Sequence, residues 1–317
     1  MMEPRWKPVP YAALPPGLTD ELGAAGLEPE RLYADVVAAL EEDLPDRGVD
    51  VTSAATIPET AVDWADFGAR EDGVVAGLAV AELVFRVVLE QVTVERPVAE
   101  GARVARGDVV LSVHGAVAGL LTAERTALNY ACHLSGVATA TARWVDALEG
   151  TRARVLDTRK TLPHLRALQK YAVRCGGGVN HRFSLSDMAL VKDNHVLAAG
   201  GVVPAYTAVK KRYPDLPVEV EVTDLDQLRD LLAAGCERVL LDNMATETMR
   251  EAVGIADGRA TLEASGNLTL ERAREVAETG VDFLSVGGLT HSVAVFDLGM
   301  DLRDEAAAYA AAREEGP

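Results

Sequence analysis

With 317 residues, 49% of them hydrophobic and 25% charged, the chain has the composition of a soluble protein of one large or two smaller domains. Its net charge of −18 argues against nucleic acid and anionic membranes as partners, and its apolar runs are too short to span a bilayer. Three cysteines without a close pair and a proline-rich start favour a reducing, cytoplasmic location without a signal peptide or a redox motif.

The first part of the chain predicts a small α+β domain. Residues 1–28 are rich in proline and predict an irregular arm. Apolar side chains at helical spacing predict a helix over residues 29–44. Short valine-containing runs between glycines then indicate a sheet over residues 62–120, with one helical insertion around residues 79–91. A long helical region follows and should end at Gly150.

From residue 153 onward, six apolar segments alternate with helical segments at regular spacing, and each apolar segment ends in polar residues or glycine. Alternating strands and helices with buried strands predict a parallel sheet. The regular spacing favours a barrel over an open sheet. Because six strands are evident rather than eight, an incomplete barrel is compatible with the pattern.

Basic residues concentrate in one segment of this acidic chain. Residues 151–192 hold nine basic residues and two aspartates, a net charge of +7. Such a concentration predicts a pocket for a small polyanion, because the local field attracts negative charge. The basic residues are Arg152, Arg154, Arg159, Lys160, Arg166, Lys170, Arg174, Arg182 and Lys192.

Candidate functional residues follow the predicted strands, because βα barrels carry their active sites at the carboxyl ends of the strands. Arginine side chains there suit carboxylates, and lysine side chains suit phosphate oxygens. Acidic side chains could hold Mg²⁺ or stabilise a developing cation. The alternatives are surface ion pairs for the cations and contacts with the next helices for the acids. The candidates at the strand ends are Thr158, Arg159, Lys160, Lys192, Glu221 and Asp242, and Arg182 in the basic segment is a further candidate.

Two glycine-containing turns come last in the predicted barrel, at residues 265–267 and 286–288. Their backbone N–H groups could bind phosphate, although ordinary βα turns are the alternative. The glycines at 176–178 are a weaker signal, because they lack the lysine-serine ending of a nucleotide-binding loop.

The six histidines differ in what they indicate. His181, next to Arg182, is a candidate for the pocket, whereas His195 could merely cap a helix. His114, His133 and His291 carry no strong indication of function. No histidine pair has metal-ligand spacing, so a zinc site is not expected.

Together these motifs resemble the quinolinate phosphoribosyltransferase family, the decarboxylating nicotinate-nucleotide pyrophosphorylases of NAD biosynthesis. The resemblance covers most of residues 41–292 in the family's order, through EEDLPDRGVDVTS, AERTALN, DTRKTLPHLR, QKYAVRCGGGVNHR, LSDMALVKDNH, LLDN, EASGN and SVGGLTHS. It implies an α+β open sandwich over residues 29–128 and an incomplete α/β (TIM-like) barrel over residues 129–292. It also implies a helical tail within residues 293–317 that packs back on the first domain, and a homodimer or a higher oligomer.

The resemblance further implies transfer of phosphoribosyl from 5-phosphoribosyl 1-diphosphate to quinolinate with loss of CO₂, assisted by Mg²⁺ and by no organic cofactor. Site roles follow from the matching motifs. Arg159, Arg182 and His181 would hold the quinolinate carboxylates, Thr158 would line the site, and Lys160 and Lys192 would serve the carboxylate and the diphosphate. Glu221 and Asp242 would contact the ribose or its Mg²⁺, Ser265, Gly266, Asn267, Val286, Gly287 and Gly288 would hold phosphate, and Arg125 would enter the partner subunit's pocket.

The chain departs from the family pattern at three positions. His164 and Asn267 stand where the family usually has glycine, and Gly288 stands where it usually has alanine. Three rival functions remain beside the first: a related phosphoribosyltransferase acting on nicotinate or another acid, a Schiff-base aldolase using Lys192, and a non-catalytic anion-binding barrel. The aldolase is disfavoured because Lys192 lies among other cations rather than in an apolar pocket.

Overall fold

The computed structural model describes residues 6–303. Within them the chain forms two compact units, one of residues 6–139 with 294–303 and one of residues 140–293. The division lies after Thr139 rather than at the expected residue 128, because one long helix, Val117–Ala147, contributes to both units. Of the expected helical tail over residues 293–317, residues 298–302 form a strand instead, and the residues beyond 303 lie outside the described part of the chain.

The elements follow one another along the chain with these bounds. They are α1 Pro16–Ala24, α2 Pro29–Asp43, α3 Val51–Thr56, β1 Val62–Ala69, β2 Gly73–Val74, α4 Leu78–Val88, β3 Val92–Glu95, β4 Arg103–Val104, β5 Val109–Ala116, α5 Val117–Ala147, β6 Arg154–Leu156, α6 Arg166–Cys175, β7 Ala189–Val191, α7 Asp193–Ala199, α8 Val202–Arg212, β8 Val218–Val222, α9 Leu225–Ala233, β9 Arg238–Asp242, α10 Thr246–Ala256, β10 Thr261–Ser265, α11 Leu270–Ala277, β11 Phe283–Ser285, α12 Gly288–His291 and β12 Leu298–Leu302.

The first unit is built on a four-stranded antiparallel sheet with the order β12-β1-β5-β3. Strand β12 pairs along β1, with Ala65 opposite Leu302, so the last described residues complete this sheet. Helix α2 buries Leu32, Val36 and Leu40, which confirms the predicted helix and its apolar stripe. The unit is therefore the α+β domain that the sequence predicts.

The prediction of an irregular arm over residues 1–28 is wrong for residues 16–24, which form helix α1. Pro16 occupies the first turn of this helix, where its fixed backbone angle is favourable and its missing N–H costs no hydrogen bond. Leu18 and Leu22 on α1 are buried. A proline-rich composition therefore concealed a short helix that packs against apolar neighbours.

The second unit contains a sheet of six parallel strands in the order β6-β11-β10-β9-β8-β7. These are the six strands that the apolar segments predict. An isolated parallel bridge joins Leu156 to Val179 beyond β6, and among the described residues no pairing closes the sheet onto β7. The incomplete barrel is thus confirmed. Of the helices that the structure describes, none has both the length and the apolar character of a membrane span.

Candidate functional site

Arg159 lies in the loop after β6, and Arg182 lies in the segment between α6 and β7, close enough for their charges to interact. Arg159 and Arg182 are both partly buried. Burial lowers the pKa of Arg182, and the charge of nearby Arg159 lowers it further. The Nε of Arg159 is buried and has no hydrogen-bond partner among the described residues. Two neighbouring cations with a buried unsatisfied donor form a site that a bound anion would stabilise.

Lys160 lies against the turn that follows β11. A Cβ atom built on Gly287 would lie 2.8 Å from Lys160 Cδ and 3.3 Å from His291 Nε2. Thr290 Oγ1 donates a hydrogen bond of 2.7 Å to the Lys160 carbonyl oxygen, which ties the two loops together. A side chain at position 287 would therefore displace the Lys160 side chain from its present position. His291, which carried no strong indication of function in the sequence, lies at the same turn.

The remaining residues of these two loops have supporting contacts. Thr158 Oγ1 accepts a hydrogen bond of 3.0 Å from the Lys160 amide, and Val286 is buried with its amide donating to the Leu156 carbonyl oxygen at 2.9 Å. Gly288 begins the short helix α12 and has open space where a side chain would stand. Thr158 and Val286 thus fix the loop and the turn that carry Lys160 and Gly287.

Two carboxylates and a lysine lie together at the ends of β7, β8 and β9. Burial raises the pKa of Glu221, the charge of Asp242 raises it further, and the charge of Lys192 lowers it. Lys192 precedes α7, and its amide donates to His195 Nδ1 at 3.0 Å. His195 therefore caps this helix, as the sequence analysis allowed. Paired carboxylate oxygens are the donors that Mg²⁺ prefers, so Glu221 and Asp242 fit this ion.

The turn after β10 is held against the end of β9 by two asparagines. Asn243 Nδ2 donates to Asp242 Oδ2 at 2.9 Å, and Asn243 Oδ1 accepts from Asn267 Nδ2 at 2.9 Å. A Cβ atom at Gly266, whose φ is +89°, would lie 2.3 Å from Asn243 Oδ1, so glycine is needed there. Ser265 pairs with Asp242 in the sheet. The first glycine-containing turn thus lies beside the acidic pair.

His181 is predicted to contact a bound anion directly. In the structure, however, both of its ring nitrogens already contact groups of the protein. Nε2 lies 2.9 Å from Glu219 Oε2 and 3.3 Å from Glu263 Oε2, and Nδ1 accepts from the Arg182 amide at 2.7 Å. Burial lowers the pKa of His181, but the two glutamates outweigh it and raise the pKa to about 9. The Arg182 amide opposes this rise, because it requires an unprotonated Nδ1.

Within the described part of the chain, one group of buried side chains lies close enough together to hold a metal ion: His181, Glu219 and Glu263. His181 and Glu219 are already joined by a direct hydrogen bond, and burial raises the pKa of Glu263, which favours a protonated carboxyl group. We interpret the cluster as a buried group of polar side chains in contact with one another beside Arg182, not as a metal centre.

The basic segment 151–192 does not face one cavity as a whole, which corrects the simplest interpretation of its +7 charge. Lys170 is fully buried in an ion pair with Asp157. Arg152 pairs with Asp282 at 2.9 Å, and Arg174 donates to the Asn180 side chain at 2.7 Å. Of the other six, Arg154 begins β6 and Arg166 is hydrogen-bonded to Thr161 and Phe183. The remaining candidates are Arg159, Lys160, Arg182 and Lys192. Arg125 is exposed on α5, in residues of the first unit, and its expected place in a partner subunit's pocket stays a prediction.

Sequence models of two domains match the chain. The quinolinate phosphoribosyl transferase N-terminal domain matches residues 50–135, and the C-terminal domain of the same description matches residues 137–301. The chain belongs to the quinolinate phosphoribosyl transferase family.

Individual relatives agree with this membership. The chain is 53% identical over 269 residues to the nicotinate-nucleotide pyrophosphorylase [carboxylating] of Mycobacterium leprae, covering 83% of this chain and 94% of the relative. A chloroplastic enzyme of the same name from Oryza sativa is 40% identical, covering 87% and 79%. The solved structure of NadC from Streptococcus pyogenes matches with a TM-score of 0.83 at 40% identity, covering 88% of this chain and 99% of that one.

The backbone explains two of the departures from the family pattern. His164 has a φ of +64° and Asn267 a φ of +49°, and both values lie in the left-handed region that glycine adopts without strain. The loop therefore keeps the conformation suited to the family's usual glycine although histidine occupies position 164.

Proposed function

We infer that the chain transfers the phosphoribosyl group of 5-phosphoribosyl 1-diphosphate to quinolinate and releases CO₂, giving nicotinate mononucleotide and diphosphate. The observation that carries this proposal is the pair Arg159 and Arg182, held together with an unsatisfied buried Nε. Quinolinate has two adjacent carboxylates, and two neighbouring guanidinium groups match them in number and in charge. The family and its relatives' names support the same activity.

We propose that the protein acts mainly by positioning two polyanions and cancelling their repulsion. Arg159 and Arg182 would bind the quinolinate carboxylates and direct the pyridine nitrogen toward ribose C1. Lys160, with the turns at residues 265–267 and 286–288, would bind the phosphates. Glu221 and Asp242 would stabilise positive charge on the ribose and, where Mg²⁺ is bound, hold it. Bound Mg²⁺ would neutralise charge on the diphosphate.

The proposed reaction breaks two bonds and forms two. The C1–O bond to diphosphate breaks, and diphosphate leaves with the electron pair. The pyridine nitrogen then forms the new N–C1 bond, which leaves the ring positively charged. The bond between ring C2 and its carboxylate breaks next, because the charged ring accepts the electron pair, and a proton from solvent replaces the departing CO₂. Lys160 and Lys192 would stabilise the negative charges in these steps.

The test is an assay with quinolinate, 5-phosphoribosyl 1-diphosphate and Mg²⁺ that follows both CO₂ and mononucleotide. Stoichiometric release of both supports the proposal. Turnover of nicotinate but not quinolinate would instead favour the related transferase. Trapping of a carbonyl substrate on Lys192 by borohydride would favour the aldolase, and tight binding of 5-phosphoribosyl 1-diphosphate without turnover of any acid would favour the binding protein.

We also propose a homodimer in which Arg125 completes the partner subunit's site. We further propose a cytoplasmic location, for which the odd number of cysteines without a close pair in the sequence is the argument. Arg125→Ala and Arg159→Ala should each be inactive alone. If sites are shared, mixed dimers of the two variants contain one intact site and recover part of the activity. Verified mixed dimers without activity would contradict the shared site.

A further inference from the structure

Helix α6 carries a buried lysine that the proposed mechanism does not use. Lys170 is fully buried, and its Nζ forms an ion pair with the Asp157 carboxylate and donates to the His181 carbonyl oxygen at 2.9 Å. Burying two charges costs several kcal/mol, which their attraction often only offsets, so such a pair is weak evidence of a stabilising role. Its contacts point to another role.

The Asp157 carboxylate accepts hydrogen bonds from three residues, which oppose the rise in its pKa that burial causes. Oδ1 accepts from Lys170 Nζ and from the His181 amide at 2.8 Å, and Oδ2 accepts from Asn180 Nδ2 at 2.6 Å. Asn180 Nδ2 also donates to the Lys170 carbonyl oxygen at 2.8 Å. The ion pair thus fixes residues 180 and 181, which immediately precede Arg182 in the chain.

Arg182 depends on this segment for its own orientation. Its amide donates to His181 Nδ1 at 2.7 Å, and its guanidinium donates to the Met188 carbonyl oxygen at 3.0 Å. We propose that the buried Lys170–Asp157 pair is a positioning device that directs Arg182 into the quinolinate site, and that its role is not general stability. This inference rests on the proposed function above.

The neighbouring residue on α6 supplies a matched control. Gln169 is also fully buried, but its contacts lead to the other side of the site. Its Oε1 accepts from the Leu162 amide at 2.9 Å, and its Nε2 donates to the Thr290 carbonyl oxygen at 2.6 Å. Thr290 in turn donates to Lys160. Loss of Gln169 should therefore disturb the phosphate side, and loss of Lys170 the quinolinate side.

The experiment compares Lys170→Met and Gln169→Leu in the full-length protein. For each variant, the KM for each substrate and the kcat of the overall reaction are measured. Lys170→Met should raise the KM for quinolinate about 10- to 100-fold and leave the KM for 5-phosphoribosyl 1-diphosphate within about twofold. Gln169→Leu should instead raise the KM for 5-phosphoribosyl 1-diphosphate and leave the KM for quinolinate within about twofold. Equal changes in both KM values for Lys170→Met, or an unchanged KM for quinolinate, would overturn the proposal.

A second variant covers the case in which Lys170→Met does not fold, since it leaves Asp157 buried without its partner. The double variant Lys170→Met with Asp157→Asn removes both charges and should fold, with the same selective rise in the KM for quinolinate. Failure of both variants to fold would overturn the proposal, because the pair would then serve stability. An inactive wild-type protein would refute the proposed function. If the wild type is active but Lys170→Met does not raise the KM for quinolinate selectively, only the positioning role is refuted.

Discussion

Replacing Arg159 with methionine should make the ligand-free protein more stable while it weakens quinolinate binding. In the structure the buried Nε of Arg159 has no hydrogen-bond partner among the described residues, and the charge of Arg159 lowers the pKa of Arg182. Methionine keeps an apolar stem of similar length but removes both the unsatisfied donor and one of the two cations.

The magnitudes follow from these two contributions. A buried unsatisfied donor costs about 1–3 kcal/mol, so the free energy of unfolding should rise by about that amount. Quinolinate would lose a charge-assisted contact with a partly buried cation, which should weaken its binding by about 2–5 kcal/mol. Urea unfolding without ligand measures the first quantity, and isothermal titration with quinolinate measures the second.

Arg166→Met is the matched control for this prediction. Arg166 Nε donates to Thr161 Oγ1 at 3.1 Å and Nη1 donates to the Phe183 carbonyl oxygen at 3.0 Å, so both groups are satisfied. Its loss should lower the free energy of unfolding by about 1–3 kcal/mol. The reasoning fails if Arg159→Met lowers ligand-free stability as the control does, or if it leaves quinolinate affinity unchanged.

Three other changes test the backbone and one ion pair. His164→Gly should raise the free energy of unfolding by up to about 1 kcal/mol in urea, because the left-handed φ of +64° no longer carries a side chain; a loss would contradict this. Gly266→Ala should raise the KM for 5-phosphoribosyl 1-diphosphate more than about tenfold, whereas Gly258→Ala, also at positive φ but in open space, should change stability only. Arg303→Met should cost about 0.5–1 kcal/mol at pH 7. Its hydrogen bonds lower the pKa of Asp66, so the stabilisation exists above the unfolded pKa and disappears as pH falls through the lower folded value. An equal loss at pH 2 and pH 7 would refute that assignment.

The barrel strands and the positions of the site residues along the chain could be predicted from local sequence alone. Each barrel strand is an apolar run that ends in a polar residue or glycine, and this pattern does not depend on distant residues. Arg159 and Lys192 follow such runs closely, so their position near the carboxyl ends could be predicted without coordinates. The consequence of His164 in place of the family's usual glycine could not be predicted from the sequence, and the structure gives this residue a left-handed φ of +64°.

Which polar side chains are available to a ligand became evident from the three-dimensional packing. Lys170 and Arg182 belong to the same basic segment, yet one is buried against Asp157 and the other lies beside Arg159. His181 faces two buried glutamates, whereas His291 lies against Gly287. Burial and pairing depend on residues that are distant along the chain, and composition within one segment carries no information about those partners.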